Sequence, residues 1–183
     1  MFIINENDVK YPNVLFPRNY LEVVYLDNVD LRKKQIDNFF NLISNKKTKE
    51  RDVLNFINRG YYFLIASIVK HYYFFGHHDA YIFPEFKLGT KYVVDYLVIG
   101  KNSDGFHFLL FELESVYKSI TTLTGLEGTV LRKGISQTDD WKTWIEGNFF
   151  TFQQELMKYI NPSSSLPNEF LNYDSTRFNY SVI

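Results

Sequence analysis

The stretch VVDYLVIGKNSDGFHFLLFELES, residues 93–115, decides how this chain folds. Two apolar runs rich in β-branched and aromatic residues flank the polar tetrapeptide NSDG, which is the pattern of a β-hairpin. Asp95 lies inside the first run, and Glu112 and Glu114 lie inside the second. A buried carboxylate is costly unless it is paired, hydrogen-bonded or bound to a metal. The three acids therefore need a physical explanation.

The turn between the two runs sets the register of the predicted hairpin. A four-residue loop, NSDG, pairs Lys101 with Phe106. Counting back along both strands from that pair places Asp95 directly opposite Glu112, with Glu114 on the diagonal. A three-residue loop or a bulge would instead shift the register by one residue.

Strict side-chain alternation puts Asp95 on the same face as Val93, Leu97 and Ile99. Carboxylates opposed across a strand pair repel each other, and one of them should have a raised pKa. A divalent cation removes that repulsion, and Mg²⁺ needs few protein ligands. The hairpin therefore predicts a metal site at Asp95 and Glu112; the alternative is that one acid points to solvent from a half-exposed sheet.

The remaining pattern predicts an α/β protein of 183 residues with one main domain. We expect an accessory strand and helix in residues 1–46 and the main domain in 47–183, with that domain truncated at its carboxyl end. Apolar spacing of three to four residues marks helices, and β-branched or aromatic runs mark strands. The helices are predicted at 31–44, 48–75 and 135–160, and the strands at 20–26, 80–86, 91–99, 105–114 and 178–183.

Composition excludes several classes of site and of protein. The chain has no cysteine, so disulfides, thiolate metal sites and a cysteine nucleophile are excluded. His71, His77 and His78 lack the ligand spacing of a zinc site. No secretory signal and no apolar run of membrane-spanning length is visible, so we expect a cytoplasmic protein.

The net charge is −1, but basic residues concentrate in one segment. Residues 31–60 contain eight Lys and Arg against three acids. Such a segment, including Lys46, Lys47 and Lys49, suits a track for nucleic-acid phosphates. A solvated helix face has the same composition, so that alternative stays open.

The acid on one strand and E-x-E on the next, in the order helix, three strands, helix, strand, resemble the PD-(D/E)XK nuclease superfamily. The longer pattern FPEFKLGTKYVVDYLVI, FLLFELES and GISQTDDWKTWI is similar to the nuclease domain of the Shedu anti-phage proteins, over residues 48–160. The resemblance implies a restriction-endonuclease-like αβββαβ core. A mixed central sheet flanked by helices and a small N-terminal extension would complete it.

The resemblance implies a role for each matched residue. Asp95 and Glu112 match the two metal-binding acids, and Glu114 stands where the superfamily usually has a lysine. Gln137 and Trp141 match a Q-x-x-x-(Y/W) pair on one helical face. A glutamate in place of lysine supplies no positive charge, although it could bind metal or accept a proton from water.

Further residues complete the implied site. Glu50 matches an acid on the first core helix of many members, and Glu85 could serve as an outer acid. Lys87, Lys91 or Lys118 could replace the missing cation, and the sequence does not choose among them.

The resemblance implies a Mg²⁺- or Mn²⁺-dependent DNA endonuclease in antiviral defence that forms homo-oligomers and has no membrane partner. A second possibility is a catalytically inactive module that binds nucleic acid or protein. A third is a structural unit for oligomerisation.

Overall fold

The computed structural model describes residues 14–21, 29–73, 78–115 and 117–183. Within these ranges the chain is an α/β protein with a four-stranded mixed open sheet flanked by helices. The helices are α1 (Val29–Ser44), α2 (Glu50–Asn58), α3 (Phe63–Ile68), α4 (Thr129–Gly147) and α5 (Phe149–Met157). The strands are β1 (Asp79–Leu88), β2 (Tyr92–Asn102), β3 (Gly105–Glu112) and β4 (Phe178–Val182).

The sheet has the strand order β1-β2-β3-β4. The first three strands form an antiparallel meander, whereas β4 pairs with β3 in parallel. A parallel neighbour requires a crossover connection, and α4 and α5 lie in that connection. The predicted α/β class and mixed sheet are confirmed.

Each face of the sheet carries its own apolar core. On one face, α4 and α5 contribute Trp141, Ile145, Phe152 and Leu156 to what we call the α4–α5 core. On the other face, α2 and α3 contribute Val53, Leu54, Ile57 and Ile65 to the α2–α3 core. Strands buried on both faces read as continuous apolar runs, which explains the composition of β2 and β3.

The single helix predicted at 48–75 is wrong, because the segment is divided. The first part, α2, ends at Asn58, and Gly60 has a φ of 107°, a left-handed conformation that an α-helix does not contain. The chain resumes as α3 and continues into a π-helical turn, Val69–Tyr73. Residues 74–77, which include the end of the predicted helix, lie outside the described residues.

The other predicted elements have shifted ends. The helix predicted at 135–160 begins earlier, at Thr129, and is interrupted at Asn148 between α4 and α5. Of the strand predicted at 20–26, residues 22–26 lie outside the described ranges. Leu21 does donate its backbone N–H to the carbonyl of Ala80, over 2.7 Å, at the outer edge of β1. Of the helices described, none has both the length and the apolar character needed to cross a membrane.

Candidate functional site

The hairpin that carries the acids has the predicted register. Lys101 pairs with Phe106, but Asn102 also pairs with Gly105, so the loop has two residues rather than the predicted four. The side chain of Asn102 accepts the backbone N–H of Asp104 over 3.0 Å, and Gly105 has a φ of 114°. The predicted four-residue loop is therefore wrong. The predicted register is right, because one additional residue pair at the turn leaves all the other pairs unchanged.

Backbone pairing between β2 and β3 stops just before the acids. Its last pair is Tyr96 with Phe111, so Asp95 stands at the next position, opposite Glu112. There the Asp95 side chain replaces the backbone, because its Oδ2 accepts the N–H of Leu113 over 2.8 Å. The acid of one strand is thereby tied to the main chain beside the acid of the other.

Side-chain alternation reverses at Asp95. Leu97 packs in the α4–α5 core, and so does Val94, although residues three apart in a regular strand lie on opposite faces. The predicted common face for Asp95, Val93, Leu97 and Ile99 is therefore wrong, because strict alternation does not hold at this point.

The same reversal occurs in β1 beside Asp95. Phe83 and Phe86 both pack in the α4–α5 core, and Glu85 between them has a φ of 49°. Among the described residues it is the only non-glycine residue with a positive φ. Such a backbone costs about 1–3 kcal/mol and occurs most often at functional sites. The Glu85 carboxylate pairs with Arg51 over 2.8 Å.

Burial raises the pKa of Asp95 to about 6. The negative charges of Glu50 and Glu85 contribute to that rise, whereas the hydrogen bond from Leu113 and the charge of Arg51 oppose it. Glu50 is the first residue of α2, where a helix dipole favours a carboxylate. The predicted supporting acids Glu50 and Glu85 thus lie close enough to act electrostatically on Asp95.

Glu112 is the most perturbed acid of the group. Glu112 is only 4% exposed, and burial raises the pKa of its carboxyl group to about 8. Asp95, Glu114 and Glu50 raise that pKa by repulsion, and Lys133 lowers it by attraction. Four carboxylates and one ammonium group therefore interact at the end of the hairpin.

Lys133, on α4, is a site residue that the sequence reading missed. Its Nζ lies 3.2 Å from Oε1 of Glu114, whose side chain is 10% exposed. Burial opposes the shift, but the hydrogen bond and charge of Glu114 and the other nearby acids raise the pKa of Lys133. The three lysines proposed from sequence were Lys87, Lys91 and Lys118. A signal was present, because Lys133 precedes the predicted glutamine by four residues, one helical turn.

Ile183, directly after β4, fixes the main chain of Glu112, the last residue of β3, and of Glu114. Ile183 donates its N–H to the carbonyl of Glu112, and Glu114 donates its N–H to the carbonyl of Ile183, each over 2.8 Å. A Cβ added to Gly134 would lie 2.6 Å from Cγ1 of Val182, so the glycine permits the close approach of α4 to β4. This approach brings the lysine of α4 to the acids.

The two predicted residues of the Q-x-x-x-W pair have different environments. Gln137 is half-buried and lines an open groove beside the acids. Trp141 is fully buried in the α4–α5 core, and its indole N–H has no hydrogen-bond partner among the residues described. Gln137 can therefore meet a substrate, whereas Trp141 anchors α4 to the sheet.

The basic segment is only partly available to a partner. Lys46, Lys47 and Lys49 are exposed in the connection that leads to Glu50. Arg32 is buried, with its guanidinium 5.3 Å from the centre of the Phe63 ring. The predicted phosphate track is thus shorter than the segment 31–60.

The donor set can be compared with what a divalent cation needs. In the part of the chain that the structure describes, no three His, Asp or Glu side chains form a ready metal-binding group. Mg²⁺ is commonly held by one or two carboxylates, with waters and substrate phosphate completing its shell. Among the described residues, Asp95 and Glu112 are two carboxyl groups that stand opposite each other at the end of the hairpin, which is the number of acids that such an ion uses.

The site therefore consists of an acid pair on the hairpin, two supporting acids, a glutamate paired with a helical lysine, and a glutamine at an adjoining groove. Comparison of the chain with protein-family models, with curated proteins and with solved structures found no match.

Proposed function

We propose that the chain is a metal-dependent DNA endonuclease with a restriction-endonuclease-like core. The observation that carries the proposal is the pair of half-buried Asp95 and buried Glu112, whose pKa values are raised to about 6 and about 8 by burial and by acidic neighbours. Groups with such shifts concentrate at catalytic and metal sites. The sequence resemblance to Shedu proteins supports a role in antiviral defence, in the cytoplasm and as a homo-oligomer.

In this proposal Asp95 and Glu112 hold Mg²⁺ or Mn²⁺, and Glu50 adds negative charge behind them. The ion, when bound, supplies a Lewis acid and lowers the pKa of a bound water. The protein's own contribution is to hold the two acids opposite each other at the end of the hairpin. The hydrogen bond from Leu113 favours the charged form of Asp95, whereas Glu112, with its pKa raised to about 8, gives up its proton when the ion binds.

The remaining residues act on the substrate. Phosphodiester hydrolysis forms a bond between water oxygen and phosphorus and breaks the bond to a sugar oxygen. Glu114 accepts the proton of the attacking water. Lys133, 3.2 Å from Glu114, offsets the charge that develops on the phosphate. It takes the role of the lysine that the superfamily usually has at the position of Glu114. Gln137 orients the phosphate from the groove.

A catalytically inactive binding module is the second candidate. It is favoured by Glu114 itself, because a carboxylate stands where the superfamily has a lysine and already uses Lys133 as its partner. In such a module the acids would be the remains of a catalytic site that has lost its activity. Removing their charge would then only relieve repulsion and raise stability.

Plasmid nicking with Mg²⁺ or Mn²⁺ distinguishes these two functions. We expect the wild type to nick DNA, and Glu112→Gln and Glu114→Gln each to lose at least about tenfold in rate, which is about 1.4 kcal/mol of transition-state stabilisation. Asp139→Asn, an exposed acid on α4, is the matched control and should keep the wild-type rate.

Two outcomes would contradict the proposed nuclease. Nicking that survives both glutamine substitutions would place catalysis elsewhere or in a contaminant. A wild type that nicks neither supercoiled, linear nor single-stranded DNA, with both variants more stable than wild type, would favour the binding module.

A further inference from the structure

We propose that the groove beside the acid pair binds one unpaired nucleotide of a DNA strand, the unit next to the scissile phosphate. This subsite rests on the proposed nuclease function and names the form of its substrate. The groove has a volume of about 490 Å³ and lies between the start of β2 and one face of α4. It is lined by Lys91, Tyr92, Val93, Lys133, Ser136, Gln137 and Asp140.

The α4 wall is polar along its whole length. Lys133, Ser136, Gln137 and Asp140 follow one another at intervals of three, one and three residues, so they share one face of the helix. The opposite, buried face of α4 contains Thr138, Trp141 and Ile145. The polar face is therefore not used for packing and is available to a ligand with many hydrogen-bonding groups.

The β2 wall is partly apolar and belongs to the strand that carries Asp95. Val93 is 50% exposed and lies two residues before Asp95 on the same strand. Beside it, the ammonium group of Lys91 lies 4.9 Å from the centre of the Tyr92 ring. A sugar or base can pack on Val93 and Tyr92, because aromatic and apolar side chains accept any base without regard to sequence.

The distribution of charge along the groove predicts the orientation of the bound nucleotide. At the end near the acids, Lys133 suits a phosphate. At the other end, Lys91 and Asp140 carry opposite charges and attract each other. The balanced end suits a neutral sugar and base with hydrogen-bond donors and acceptors. A phosphate at Lys133 and a nucleoside at Lys91 match both ends.

The size of the groove favours an unpaired nucleotide. Small-ligand sites typically have volumes of about 300–1,000 Å³, and this groove falls in the lower half of that range. A duplex cannot enter such a space, so the nucleotide must leave its partner strand. We therefore expect single-stranded or frayed DNA to bind more tightly than a blunt duplex.

The test measures binding with Ca²⁺ in place of the catalytic ion, using fluorescence anisotropy of a labelled short oligothymidylate. Ser136→Trp fills the groove from an exposed position and should raise Kd at least tenfold. Lys133→Gln should raise Kd by a smaller factor and reduce the salt slope by about 0.7, the value for one single-strand phosphate that is no longer neutralised. Lys142→Gln removes one charge from an exposed site of α4 outside the groove and should leave both quantities unchanged.

Failure of the subsite and failure of the nuclease give different results. Groove variants that bind with the wild-type Kd, while the wild type still nicks plasmid, overturn the subsite alone. Groove-dependent binding by a protein that nicks no DNA supports the subsite and overturns the nuclease. Equal affinity for a blunt duplex and for the oligothymidylate would contradict the proposal that the bound nucleotide is unpaired.

Discussion

Asp95 and Leu113 are joined by a hydrogen bond of 2.8 Å from the backbone N–H of Leu113 to Oδ2 of Asp95. The bond replaces backbone pairing at the point where β2 and β3 diverge. It also holds an acid of β2 against the residue that follows Glu112. Any change in Asp95 therefore acts on both the charge of the site and the end of the hairpin.

Asp95→Asn separates those two effects. The asparagine oxygen still accepts the Leu113 N–H, but the negative charge is gone. In EDTA we expect a higher melting temperature than the wild type, since the desolvated charge of Asp95 and its repulsion by Glu50 and Glu85 are removed. With millimolar Mg²⁺ or Mn²⁺ the wild type should gain stability by binding and the variant should not.

Asp95→Ala is the matched control, since it also loses the hydrogen bond. It should be less stable than Asp95→Asn by about 1 kcal/mol. Thermal melting with and without metal checks all three proteins. An identical gain from metal in wild type and Asp95→Asn would show that Asp95 is not a ligand.

The raised pKa of Glu112 predicts how stability depends on pH. The native state keeps the Glu112 proton up to about pH 8, whereas the unfolded state loses it near its ordinary value of 4.5. The native state therefore binds more protons in this window, and the free energy of unfolding falls as pH rises from about 4.5 to 8. Urea unfolding in EDTA should show this fall, and Glu112→Gln should reduce it. A variant whose pH profile equals that of the wild type would contradict the assignment.

Lys133→Gln tests the cation supplied by α4. We expect the nicking rate to fall by at least about tenfold, since the charge near the phosphate is lost. Its neighbour Arg132→Gln removes the same charge from an exposed position and should keep most of the activity. Equal losses in the two variants would mean that only the net charge of the helix matters.

The strained backbone at Glu85 can be measured by comparing two substitutions. Glu85→Gly and Glu85→Ala both lose the ion pair with Arg51, but only glycine adopts a φ of 49° at no cost. We expect the glycine variant to be more stable than the alanine variant by about 1 kcal/mol. Equal stability in urea unfolding would show that the backbone relaxes when the side chain is shortened.

The exposed lysines before α2 should bind DNA without reading its sequence. Replacing Lys46, Lys47 and Lys49 with Gln should weaken binding to every duplex alike and reduce the salt slope by about 0.9 for each phosphate that is no longer neutralised. The control removes three charges at exposed lysines elsewhere: Lys70, Lys142 and Lys158. An equal effect of the two triple variants would show that this segment is a solvated surface with no specific role in DNA binding.

The hairpin could be predicted from sequence because its determinants are local. Turn residues and alternating apolar runs specify the pairing of Lys101 with Phe106, and closing the turn by one more pair does not move Asp95 away from Glu112. The order of strands and helices follows from the same local periodicities. Burial of Glu112 follows in turn, because its strand is apolar on both faces.

The cation and the strain depend on tertiary structure and were therefore missed. Lys133 reaches Glu114 only because Gly134 lets α4 approach Val182, which belongs to a segment far away in sequence. The positive φ of Glu85 leaves no mark on its residue type, since glutamate has no preference for that conformation. The division of the long helix has a local signal, Gly60, because glycine weakens the interior of a helix.

The parallel strand β4 has a consequence for the order of folding. β1, β2 and β3 pair through short turns, whereas β4 reaches β3 only after the long crossover that contains α4 and α5. Local pairings form faster than distant ones, so the meander should form first. Asp95 and Glu112 then meet before Ile183 supports the main chain beside them. In the transition state for folding, the two acids should therefore already lie close together and repel each other. A divalent cation should then accelerate refolding as well as slow unfolding.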